Sequence, residues 1–177
     1  DETSRGLGDV YKRQGYKKGD KIPFILHPHG GPNAKDRFGF NPEVQIYATR
    51  GYGVLQINYR GSVGFGLKEM KLANKQWSLA MHDDLLDGLF WANDQGYVNM
   101  DKVCISGASY GGYSAMVGIT KNPDIFKCAI NYVGVVDHYM MTNNGCLLTW
   151  VDHNSILKWV TLIPRGIFWR MLVQLTT

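Results

Sequence analysis

Cys104-Ile105-Ser106-Gly107-Ala108-Ser109-Tyr110-Gly111-Gly112-Tyr113 decides how this chain is read. Val103 to Ser106 is a short apolar run with β-branched residues and predicts a strand, while Tyr113 to Thr120 carries apolar residues at helical spacing and predicts a helix. Ser109 therefore falls among glycines where one element gives way to the other. A serine hydroxyl is a weak nucleophile until a sharp turn holds it clear of both elements, near an imidazole base and a backbone N–H that can receive an oxyanion. Gly107 and Gly111 keep side chains out of that crowded turn. By itself G-x-S-x-G would arise by chance in roughly one chain in ten of this size, and its plain alternative is a serine that caps a glycine-rich helix start. The flanking strand and helix, Gly112 and a second motif upstream favour the nucleophile.

That second motif is His27-Pro28-His29-Gly30-Gly31-Pro32, directly after the apolar run Ile22 to Leu26. In α/β-hydrolases a glycine loop after an early strand supplies the second oxyanion donor. Gly30 is the candidate donor, opposite the N–H of Tyr110, and His29 is expected to order the loop by hydrogen bonding. His27 and His29 are two apart on an extended segment and could face one way as a metal pair, but no Cys, Asp or Glu at ligand spacing completes a site. Neither a metal nor a cofactor is expected. The block Asn58-Tyr59-Arg60-Gly61-Ser62-Val63-Gly64-Phe65-Gly66 follows another strand-like run, Gly53 to Ile57. Its glycine order, G-x-x-G-x-G, is not the dinucleotide fingerprint. Arg60 reads either as a surface cation or as an anchor that fixes the loop at the site's mouth by pairing with a carboxylate.

Taken together, these blocks resemble the catalytic domain of the prolyl oligopeptidase family of serine peptidases, in particular its acylaminoacyl-peptidase and dipeptidyl-peptidase branches. The resemblance rests on His29-Gly30-Gly31-Pro32, Asn58 through Ser62 and Gly107 through Tyr113, and extends to Asp83-Asp84-Leu85-Leu86-Asp87-Gly88 and Asn99-Met100-Asp101-Lys102-Val103. It covers roughly Ile22 to Asp137. It implies an α/β-hydrolase fold, present in part, and a Ser109 acyl-enzyme formed from short peptides. It also implies a β-propeller domain N-terminal to the catalytic one, and a pocket for the residue before the cut built from Val135, Val136, His138 and Tyr139. Some relatives carry a tyrosine where His29 stands, whose hydroxyl donates to the oxyanion; here that role passes to backbone. The order of a triad on this fold is Ser, Asp, His, and after Ser109 come Asp124, Asp137, His138, Asp152 and His153. None of these matches the family's acid or base, which lie farther downstream, so the chain reads as an inactive fragment of a peptidase. Two rivals are a carboxylesterase of the same fold, disfavoured by Gly-Gly-Pro in the upstream loop, and a non-catalytic binding module.

Both ends depart from the pattern. Residues 1–14 read as a non-native segment, because Asp9 to Gln14 back-translates to GAT GTG TAT AAG AGA CAG, the end of a transposase-based sequencing adapter; the alternative is a short native linker. No strand or helix signal is evident there. Residues 15–144 are the partial peptidase domain. From 145 to 177 the patterning decays into Trp, Leu and Thr, and a shifted frame through Lys158–Leu162 can give Met-Gly-Asp-Pro, so this tail reads as frameshifted.

Composition adds limits. The formal charge of the 177 residues is +4, yet residues 15–144 hold 13 basic and 11 acidic side chains, which leaves no basic stripe for nucleic acid or a membrane surface. The apolar runs are too short to span a bilayer, and localisation is left open. Cys104 and Cys128 fall in apolar strand-like runs and read as core residues, with no redox role. Strands are predicted near 22–28, 53–58, 102–107 and 127–133, and helices near 39–50, 66–75, 80–96 and 110–120. That alternation implies a parallel sheet with helices on both faces. Leu79, Leu85, Leu86, Leu89, Phe90 and Trp91 are expected to form the apolar face of the third helix. Its aspartates Asp83, Asp84, Asp87 and Asp94 are left to water, with one of them as a partner for Arg60.

Overall fold

The computed structural model describes residues 8–12, 15–17, 19–138 and 141. Strand β1 (Gly8–Tyr11) is followed by β2 (Ile22–Leu26), α1 (Pro42–Thr49), β3 (Gly53–Ile57), α2 (Leu67–Leu72), α3 (Ala80–Asp94), β4 (Val98–Ala108), α4 (Tyr110–Lys121) and β5 (Phe126–Tyr132). The sheet order is β1-β3-β2-β4-β5. Pairs β3-β2, β2-β4 and β4-β5 are parallel, as the alternation predicts.

β1 is the departure. It pairs antiparallel with β3, from Gly8 opposite Ile57 to Tyr11 opposite Val54, within a segment expected to hold no strand. Val10 packs against the core, and the Tyr11 hydroxyl donates to Gly39 O at 3.2 Å, so a β-branched and an aromatic residue close an edge that would otherwise expose its backbone.

Helix α1 begins where the sequence supplies a cap, with Asn41 Oδ1 accepting from the N–H groups of Glu43 and Val44 and Pro42 at the first helical position. In α3 the buried residues are Met81, His82, Leu85, Leu89 and Ala92. Leu79, Phe90 and Trp91, expected on the apolar face, are instead 43%, 43% and 52% exposed. The stripe is narrower than expected because positions 81, 85, 89 and 92 follow the 3.6-residue turn, whereas 90 and 91 fall on the opposite side. Each fully buried Leu of this stripe contributes roughly 1.5–3 kcal/mol. Gly96 (φ 79°) ends the helix in the left-handed conformation, its N–H donating to Asn93 O.

The main core lies under α3 and α4 and holds Phe24, Leu26, Leu55, Val103, Ile105, Tyr110 and Tyr113. The alternate strand positions face the other way, where α1 packs on β3. Cys104 and Cys128 belong to this second face and correct the core reading. They are register partners on adjacent strands, with Cα atoms 4.7 Å apart, and form a disulfide whose Cys128 end is exposed. Among the described residues, no helix is long and apolar enough to cross a membrane.

Candidate active site

Four loops leave the C-terminal ends of the parallel strands, the edge at which open α/β sheets place their ligands. The loop after β2 carries His29 and Gly30, that after β3 carries Asn58 to Ser62, that after β4 is Ser109 itself, and that after β5 carries Val133 to His138. Ser109 sits between strand and helix with φ 56° and ψ −118°. This backbone is uncommon for a residue with a side chain, and it leaves Ser109 exposed at the junction. Its N–H donates to Tyr132 O at 3.0 Å and its carbonyl accepts from Tyr113 N at 3.0 Å, so both neighbouring elements grip it.

The turn closes only because the backbone is bare. A Cβ on Gly107 would lie 2.6 Å from Gly111 C, and one on Gly111 would lie 2.2 Å from Pro28 O. Elbow and upstream loop thus touch backbone to backbone. A Cβ on Gly30 would be 3.1 Å from Ala108 O and 3.4 Å from Ser109 Cβ, which seats Gly30 against the serine side chain. Tyr110 opens α4, and the first N–H groups of a helix have no partner within it. The two expected oxyanion donors therefore flank one serine.

His29 has hydrogen-bond partners in two loops. Its Nδ1 lies 2.7 Å from Gly30 O and its Nε2 3.0 Å from Ser62 Oγ. The Ser62 hydroxyl donates to Tyr59 O at 2.6 Å, which leaves Ser62 Oγ to accept from His29 Nε2–H. Burial holds His29 below the usual histidine range, against the opposing pull of the Gly30 carbonyl. The ring stacks on Tyr59 at 4.4 Å, and the Tyr59 hydroxyl donates to His29 O at 2.8 Å. His27 points elsewhere, its Nε2 3.9 Å from Glu43 and its ring edge-on to Tyr47, so the two imidazoles do not converge on one point.

Arg60 is an anchor. Its backbone N and Nε donate to Asp84 Oδ2 at 2.9 and 2.8 Å, and Nη2 donates to Oδ1 at 2.6 Å. The hydrogen bonds to Asp84 raise the guanidinium further above its ordinary range. Asp84 is thus the α3 carboxylate that four aspartates left undecided. On the far side of the elbow, Val135 and Val136 are half-buried, while His138 is buried with its ring against Trp77 and Tyr113. Burial lowers the His138 imidazole. Tyr139 and the tail 145–177 lie outside the described residues.

Sequence reading gave no individual role to Tyr59, Ser62, Trp77 or Asn131. Asn131 Oδ1 accepts from Gly134 N at 2.8 Å and holds the loop beside the first turn of α4. A concavity of about 1280 Å³ lies between β1, β3, α2 and α3 and is lined by Arg60, Asp84, Trp91 and Tyr97, but by neither Ser109 nor Gly30.

An α/β-hydrolase sheet with a strained serine between strand and helix defines a class. Residues 38–159 match the sequence profile of the Prolyl oligopeptidase family, and the chain belongs to that family. It is 46% identical over 113 residues, 64% of the chain, to dipeptidyl aminopeptidase BIII of Pseudoxanthomonas mexicana, of which it covers 16%. Identity to dipeptidyl peptidase family member 6 of Caenorhabditis elegans is 43% over 110 residues, 62% of the chain and 15% of that protein. The acylaminoacyl peptidase of Pyrococcus horikoshii superposes with a TM-score of 0.73 at 26% identity, over 81% of this chain and 23% of that one. The chain thus spans less than a quarter of the length of these relatives.

Proposed function

We propose that Ser109 is the nucleophile of a serine peptidase that cleaves short peptides, and that residues 15–144 are part of its catalytic domain. The observation that carries this reading is the exposed Ser109 held at φ 56° with Gly30 backbone against its side chain. Ser109 Oγ attacks the peptide carbonyl carbon, the carbonyl oxygen becomes an oxyanion between the N–H groups of Tyr110 and Gly30, and collapse expels the amine to leave an acyl-enzyme. A histidine takes the serine proton and returns it to the leaving amine, with an aspartate orienting it. Both are assigned to polypeptide beyond the stretch that resembles the family. His138 is assigned to the pocket wall, where its ring packs against Trp77 and Tyr113. Val135, Val136, His138 and Tyr139 form the pocket wall for the residue before the cut, and a β-propeller ahead of the domain admits only short chains.

The test is a fluorophosphonate probe on the full-length protein. Wild type is expected to label at one site and Ser109→Ala not at all, with turnover of a dipeptide anilide falling by a factor of about 10³ or more. The 177-residue chain alone is expected to show no turnover. Equal labelling of Ser109→Ala would remove Ser109 from the mechanism, and faster turnover of simple esters than of dipeptide anilides would favour an esterase.

A further inference from the structure

We propose that Trp77 is a positioning residue for the oxyanion site, acting through the ring of Tyr110 on which its indole stands edge-on. The proposal rests on the reading of Ser109 as the acylated nucleophile. It begins from a row of rings beneath the site. His29 stacks on Tyr59 at 4.4 Å, Tyr59 leans on Tyr110 at 5.3 Å, and Trp77 meets Tyr110 at 4.7 Å with an interplanar angle of 71°. Trp77 also touches Tyr113 at 5.1 Å and His138 at 5.4 Å. The row has a donor near each end, since His29 precedes Gly30 and Tyr110 contributes its own N–H. Tyr59 lies between the two donor residues, and Trp77 backs Tyr110 from the other side.

Trp77 is held in that row at some expense. It lies on the loop between α2 and α3, flanked by Lys75 and Ser78 with φ 58° and 56°, a left-handed region that side chains rarely occupy. Such backbone persists where surroundings over-determine it. Here Lys121 Nζ donates to Ser78 O and the indole is only 5% exposed. The Trp77 Nε1 is buried with no hydrogen-bond partner among the described residues, so its donor is not what holds the side chain there. What the indole contributes is its flat face and edge, against Tyr110, Tyr113 and His138 together. An edge-on ring contact has a preferred geometry that an aliphatic side chain of similar volume does not reproduce.

Loss of the indole would free the Tyr110 ring, and with it the first turn of α4, to shift relative to Gly30. Oxyanion stabilisation depends on donor placement in the transition state, whereas peptide binding depends mainly on pocket and cleft. The signature is therefore a fall in kcat with KM preserved.

The experiment uses the full-length protein, with active sites counted by the end point of fluorophosphonate labelling and kcat expressed per labelled site. Partial unfolding lowers the number of sites and not the rate at each. Trp77→Leu is expected to lower kcat per site about tenfold with KM within about twofold, and Trp77→Phe to return it to within about threefold of wild type. Lys121→Ala, an exposed change that releases the loop at Ser78, is expected to lower kcat about two- to threefold and decides the matter if Trp77→Leu does not fold. Wild-type kcat per site in Trp77→Leu, no recovery in Trp77→Phe, or a change confined to KM would overturn the proposal. Labelling that survives Ser109→Ala would instead overturn the nucleophile reading beneath it.

Discussion

The two faces of the sheet are built differently. Under α3 and α4, Phe24, Leu26, Val103 and Ile105 are fully buried and the aromatic row runs directly below the site loops. On the other face, α1 covers β3, where Val44 and Val54 are fully buried, but over β5 Ile130 is 46% exposed and Tyr132 67%. Apolar side chains that stay in water add little to folding, however hydrophobic they are. The closed face therefore fixes the geometry of the site, and the open one contributes mainly backbone pairing.

Breaking the closed side at its tightest contact is expected to have the largest effect. Gly111→Ala places a methyl 2.2 Å from Pro28 O, where backbone must move, and should cost about 3 kcal/mol or more and displace the Gly30 loop. Urea unfolding followed by circular dichroism checks this, and a midpoint within error of wild type would show that loop and elbow are not in contact.

Asp36 sharpens the comparison as an exception on the site side. Its Oδ2 is buried with no hydrogen-bond partner among the described residues, and burial, with Asp9 nearby, pushes its carboxyl up to about 6 from 3.8. A carboxyl raised in the folded state binds more protons folded than unfolded, so its destabilising effect grows as pH rises from about 4 and is complete above about 6. Asp36→Asn is expected to stabilise by about 1 kcal/mol at pH 8, after allowance for solvent screening of a partly exposed group, and by nothing at pH 3.5. Melts at the two pH values check it; equal shifts at both would mean that charge is not the cause.

The smallest effect belongs to the open face. Tyr132→Ser should change stability by less than about 0.5 kcal/mol, because its side chain is in water and its carbonyl, which receives the Ser109 N–H, is kept. A loss beyond about 2 kcal/mol in the same melts would show this face to be covered.

What was legible in the chain follows the same division. The parallel strands and the helices that connect them were readable because their apolar periods are local. So was Ser109 at its junction. Arg60 was readable as half of a pair, but α3 offers Asp83, Asp84 and Asp87 within one turn, and only the crossing of helix and loop selects Asp84. Trp77 carried no signal, since an aromatic residue in a loop looks the same in sequence whatever it packs against. β1 was missed because four residues show too little alternation to betray an edge strand. The Cys104–Cys128 bond depends on register between strands 24 positions apart, which no local pattern encodes.

β1 also has a consequence for the edge of the sheet. A strand antiparallel to its neighbour starts level with the neighbour's end, and Gly8 is opposite Ile57, where β3 leaves the sheet towards Asn58 and Arg60. Its first residue therefore stands at the same edge as the loops that carry Ser109 and Gly30, and its pairing keeps the backbone of β3 from being the exposed border of the sheet.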